Sequence, residues 1–159
     1  MTQLIEHMQR QLESSRRLLE IVLLQNGAIR RQDVESVLAS LADLQAEMGY
    51  RARLEAERGT ILASAASRYG VAPDAVDLDM ILRDSPPSEA AHARALSAEL
   101  LGLITETGRL HDQNRVLLRQ ELTFLDHLMR VLSNTPQAGY SPAGWSPAPQ
   151  TSTVVNARA

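Results

Sequence analysis

The stretch SEAAHARALSAELLGLITETGRLHDQNRVLLRQELTFLDHLMRVLS, residues 88–133, decides the fold. Leu96, Leu100, Leu103, Thr107, Leu110, Asn114, Leu117 or Leu118, Glu121, Leu125, Leu128 and Leu132 succeed one another at steps of three and four. That is the spacing of one face of an α-helix. Ser88 is placed to cap its start, and Glu89 lies near the positive end of the helix dipole. At 1.5 Å per residue, roughly 45 residues reach about 70 Å, and a helix of that length cannot bury its stripe alone. It needs other helices, in this chain or in a partner.

Upstream, two more stripes appear. Leu4, Ile5, Met8, Leu12, Leu19 and Leu23 predict a helix over residues 2–26, with Asn26-Gly27 as its stop. Asp33 is an N-cap candidate for a second helix over 33–69, whose stripe is Val34, Val37, Leu41, Leu44 and Met48, resuming at Ile61, Leu62 and Ala65. Tyr69-Gly70 ends it. Between 70 and 87, Pro73, Pro86 and Pro87 interrupt the pattern, and Asp77–Leu82 is long enough for one or two helical turns. From Thr135 onward lie four of the seven prolines, a single charged residue (Arg158), Tyr140 and the only tryptophan, Trp145. Such a composition disfavours helix and central strand and reads as a disordered tail. The expectation is an all-α chain: an antiparallel bundle or coiled coil of three long helices with a short helical connector (domain 1–134), followed by the tail 135–159.

Composition narrows the function. The 159 residues are 44% hydrophobic but only 3% aromatic, so the apolar content is Leu, Ala, Val, Ile and Met. A net charge of −3 with interspersed basic residues supplies no field for nucleic acid. The absence of cysteine removes disulfides, zinc-thiolate sites and cysteine nucleophiles. The longest strongly apolar run, Ile21–Leu24, is far short of a membrane span, and the first residues do not form a signal peptide. The expectation is a cytoplasmic protein without stable membrane insertion.

The search for chemistry returns little. His7, His92, His111 and His127 include no pair at i,i+3 or i,i+4. Glu89-Ala-Ala-His92 is one Glu-x-x-His element of the kind used by di-iron bundles, but the second element is missing. There is no Gly-rich phosphate loop and no Gly-x-Ser-x-Gly elbow. The expectation is no catalytic site, no metal and no cofactor. Asn114 and Glu121, polar residues on an apolar seam, are either satisfied within the core or face a partner. Arg51, Glu55 and Arg58 suggest a polar layer in the second helix.

The run from Asn114 to Leu132, with an asparagine ahead of the Leu117-Leu118 pair and a leucine-periodic helix after it, resembles the last helix of the FlgN family of flagellar export chaperones. Tyr140-Ser-Pro-Ala-Gly144 is similar to the tyrosine and glycine that follow that helix in the family. Leu54-Glu-Ala-Glu-Arg58 with Ile61 and Leu62 is similar to the end of the family's second long helix. Trp145 and the proline-rich stretch after Gly144 have no counterpart in the family pattern. The resemblance implies a chaperone that binds the hook-filament junction proteins FlgK and FlgL and delivers them to the type III export gate. It implies a substrate-binding stripe of Asn114, Leu118, Leu122, Leu125, Leu128 and Leu132, and contact of Tyr140 with the gate protein FlhA. The competing expectation is a structural coiled-coil adaptor or self-dimerisation module; a homodimer stays open in either case.

Overall fold

The structure, a computed structural model, describes residues 2–133. Tyr140, Trp145 and the whole tail expected over 135–159 lie outside the described residues. The chain divides into two units, 1–124 and 125–159.

In the first unit, α1 (Thr2–Arg30) is followed by α2 (Val34–Tyr69), a 3₁₀ turn (Pro73–Ala75) and α3 (Leu78–Leu82); α4 (Pro87–Ser133) then begins. No strand occurs among the described residues. The described fold is all-α; the sequence predicts the short helix within Asp77–Leu82, and the 3₁₀ turn at Pro73–Ala75 is an addition to that reading.

α1 lies between the other two long helices. Toward α2, His7 meets Glu57, Ser14 and Arg17 meet Glu47, and Arg51 Nη1 donates to Ser15 Oγ at 3.1 Å. The partner numbers fall as α1 advances, so α1 and α2 run in opposite directions. Toward α4, Arg16 pairs with Glu99, Asn26 with Asn114, and Gln32 with Glu121. Here the numbers rise together. Flanked on two sides, α1 buries more than one face: Met8, Leu12, Ile21, Val22, Ala28 and Ile29, along with the polar His7, Ser14, Ser15 and Gln25. Leu23, which the sequence assigns to the stripe, is 50% exposed, and Val22 is buried in its place.

The main apolar cluster joins Met8 and Leu12 of α1, Leu82 of α3, and Ala90, Ala93 and Leu96 of α4. Burying one leucine-sized side chain is worth roughly 1.5–3 kcal/mol, so this cluster contributes substantially to holding α1, α3 and α4 together.

The ends of the helices follow local rules, with two departures from the sequence reading. Asn26-Gly27 does not stop α1. The Asn26 amide is occupied by Asn114 and by Arg30 Nε, and the backbone stays helical to Arg30. The reversal comes at Gln32, in the left-handed region at φ 57°, with Asp33 N donating to Ala28 O and Gln32 N to Ile29 O. These two bonds are a Schellman arrangement. Asp33 caps α2 as expected: Oδ1 accepts from Ser36 N at 3.0 Å and Oδ2 from Ser36 Oγ at 2.6 Å. Those two bonds hold its carboxyl below the usual carboxylate range. Gly70, at φ 67°, closes α2. The second departure is at α4, which starts at Pro87, a residue ahead of the expected cap Ser88. Proline suits the first helical position because its missing N–H would find no partner there.

Of the second unit, residues 125–133 are described. They are helical, and Arg130 Nε and Ser133 Oγ donate to the carbonyls of Asp126 and Met129.

Candidate partner-binding site

The seam of α4 changes character along its length. Ala90, Ala93, Leu96, Thr107, Leu110 and Asn114 are buried, and Leu100, Leu103, Leu117, Leu118 and Glu121 are half-buried. Beyond Glu121 every described residue is exposed.

Asn114 stands at the change. It is 1% exposed. Its Nδ2 donates to Val22 O at 3.0 Å and to Gln25 Oε1 at 3.1 Å, and its Oδ1 accepts from Asn26 Nδ2 at 2.6 Å. Of the two sequence readings, the structure has the satisfied core asparagine. Its amide is committed to α1, and it fixes the register of α4 against that helix. Glu121 is held less tightly, accepting from Gln32 Nε2 at 3.2 Å in the open.

The remaining residues of the expected stripe split by position. Leu118 is half-buried, while Leu122, Leu125, Leu128 and Leu132 are exposed at 63%, 51%, 43% and 63%. Phe124 and Met129, also exposed, extend the apolar surface beyond a single stripe. The sequence reading passed over them because they fall off the three-four rhythm. The signal is apolar density, since five of the eight residues from Leu122 to Met129 are Leu, Phe or Met.

A second apolar surface was not anticipated. Val34, Leu38, Leu41 and Met48 of α2 are exposed, although three of them belong to the stripe the sequence assigns to packing. The polar anchors decide this. Glu47 is the buried residue on that part of α2 with Ser40, and its carboxylate is turned onto Ser14 and Arg17. With Arg51 bonded to Ser15, α2 presents its polar edge to α1 and leaves apolar residues outside. The polar layer therefore centres on Glu47 and Arg51. Glu55 and Arg58, also expected in it, pair with each other in the open, and that bond keeps the Glu55 carboxyl below its ordinary range.

No group of three or more His, Asp or Glu that could hold a metal ion occurs among the described residues. No described helix is long and apolar enough to cross a membrane.

Most buried polar side chains of α1, α2 and α4 are paired, His7 Nε2 and Thr107 Oγ1 being the exceptions, while leucines of α4 stand exposed. The model of the FlgN protein family matches residues 1–147, and the chain belongs to that family, which is a family of flagellar export chaperones. No curated protein and no solved structure matches the chain.

Proposed function

We propose that this protein is a cytoplasmic chaperone of flagellar type III export that binds FlgK- and FlgL-type hook-filament junction proteins and hands them to an FlhA-type gate. The observation that carries the reading is the run of exposed leucines from Leu122 to Leu132 on a helix whose seam is buried up to Asn114. In this reading, Leu118, Leu122, Leu125, Leu128 and Leu132 form the substrate stripe, and Asn114 marks its covered end. Domain 1–134 carries the substrate, and Tyr140, in the tail 135–159, meets the gate. An amphipathic terminal segment of a junction protein, unpaired before assembly, would lay its apolar face on the stripe helix to helix. Ordering that segment costs part of the contact energy, which keeps the complex releasable.

The test is Leu125→Asp. Covering one leucine is worth roughly 1.5–3 kcal/mol, and about 1.4 kcal/mol is a factor of ten, so binding of FlgK and FlgL should weaken at least tenfold. The helical circular dichroism should not change, since Leu125 is already half in solvent. Unaltered binding by a folded Leu125→Asp protein would remove the stripe from the substrate site. Tyr140→Ala should leave substrate binding intact and reduce binding to the cytoplasmic domain of FlhA, with Trp145→Ala as comparison. A stable oligomer that ignores added FlgK and FlgL would favour the adaptor reading.

A further inference from the structure

Within the first unit, α2 and α4 both lean on α1, yet no hydrogen bond or ion pair joins α2 to α4 among the described residues. Between them runs a groove of about 410 Å³. Leu18 and Val22 of α1 form its floor, Leu44 and Met48 of α2 one wall, and Ile104 and Thr107 of α4 the other. We propose that this groove takes one amphipathic helix of a partner chain, completing a four-helix arrangement, and that the apolar face of that helix carries a single carboxylate. The proposal deepens the chaperone reading, on which it rests for the source of the helix.

Three observations support it. First, the walls are apolar and open: Met48 is 51% and Ile104 47% exposed. Second, Gly108 lies on the groove, and a Cβ added there would meet nothing within 4 Å. A glycine inside a helix costs about 1 kcal/mol relative to alanine, and what it gains here is room for a second backbone. Third, the groove has donors that lack an acceptor. Thr107 is 8% exposed and its Oγ1 is buried without a hydrogen-bond partner. Arg51, half-buried, uses one guanidinium nitrogen on Ser15, and His111 stands at the rim. The acids on this side are engaged: Glu47 is bonded to Ser14 and Arg17, Glu55 to Arg58, and Glu106 to Arg109. An incoming carboxylate would accept from the Thr107 hydroxyl and face the Arg51 guanidinium, whereas an incoming ammonium would be repelled by it.

The experiment uses the full chain and a labelled synthetic leucine-based helix of about 18 residues, about 27 Å long. Three versions place Glu, Leu or Lys at the centre of its apolar face, and binding is read by fluorescence anisotropy. The Glu peptide should bind at least tenfold more tightly than the Lys peptide. Gly108→Leu, whose Cβ enters open space, should cost at least tenfold with the thermal midpoint not lowered. Met48→Asp and Ile104→Asp, at exposed positions, should do the same and serve if Gly108→Leu fails to fold. Thr107→Val should weaken the Glu peptide, leave the Leu peptide alone, and not lower the thermal midpoint. Equal binding of the Glu and Lys peptides overturns the carboxylate. Wild-type binding by the folded groove variants overturns the site, as does an oligomer of the free chain that dissociates on Gly108→Leu, since the occupant would then be a second copy. Peptide binding lost in Leu125→Asp but kept in Gly108→Leu sinks the groove and leaves the chaperone reading standing. Peptide bound in the groove by a chain that ignores FlgK and FlgL does the reverse.

Discussion

Replacing Asn114 with alanine removes three hydrogen bonds from the α1–α4 contact at once. The Gln25 carbonyl, on a residue 4% exposed, would lose its donor inside the protein. An orphaned buried polar group costs about 1–3 kcal/mol. Asn26 lies nearer solvent and keeps its bond to Arg30, so its loss adds little. The Val22 carbonyl sits in the α1 ladder and is likewise cheap to release. The vacated volume adds about 1 kcal/mol. The sum is about 2–4 kcal/mol, a large part of the roughly 5–15 kcal/mol that holds an ordinary domain together. Equilibrium unfolding in urea, followed by far-ultraviolet circular dichroism, should show the midpoint fall without a change in slope. Gln25→Ala alone should also destabilise, and the double variant should lose less than the sum, with a coupling of about 0.5–3 kcal/mol. An unchanged midpoint for Asn114→Ala, accompanied by weaker FlgK or FlgL binding, would refute the internal role and turn Asn114 toward the partner.

Three further outcomes are expected. Leu82→Ala, at a residue 3% exposed in the main apolar cluster, should cost about 2–5 kcal/mol in urea unfolding, because the connector is pinned to α1 and α4 through that side chain. Gln32→Gly should raise stability by about 1 kcal/mol in the same assay, since glycine accepts φ 57° without the Cβ clash and the exposed bond to Glu121 is worth little. Asp33→Asn should flatten the acid side of the stability curve: the folded carboxyl titrates below its unfolded value, so its contribution is present above the unfolded pKa and fades as pH falls through the folded one. Thermal midpoints of the two proteins measured from neutral pH downward should therefore converge in acid.

The helices themselves were legible because each apolar residue votes independently for the same period, and a few misplaced votes do not change the count. Their ends were legible only where one side chain acts on its own backbone. Asp33 and Gly70 are such cases, capping α2 through Ser36 and through a left-handed φ. Asn26-Gly27 is not. Whether Asn26 ends a helix or continues it depends on Asn114, 88 residues away, and no local rule contains that partner.

Which face of a helix lies inside was the least legible feature, and the reason is physical. A hydrophobic stripe states what gains from being covered; it does not state what covers it. On α2 the competition was between burying Val34, Leu41 and Met48 and pairing Glu47 and Arg51 with the serines of α1. The polar pairs hold the inside, since a carboxylate taken from water without partners costs more than a leucine left half wet. The same logic bears on the end of α4, where Leu122, Leu125, Leu128 and Leu132 keep the period of a packed seam and remain exposed. In the function proposed above, that exposed stretch is the surface a carried chain would occupy and leave, and the packing of α1 against α2 and α4 is what would hold the helices in place meanwhile.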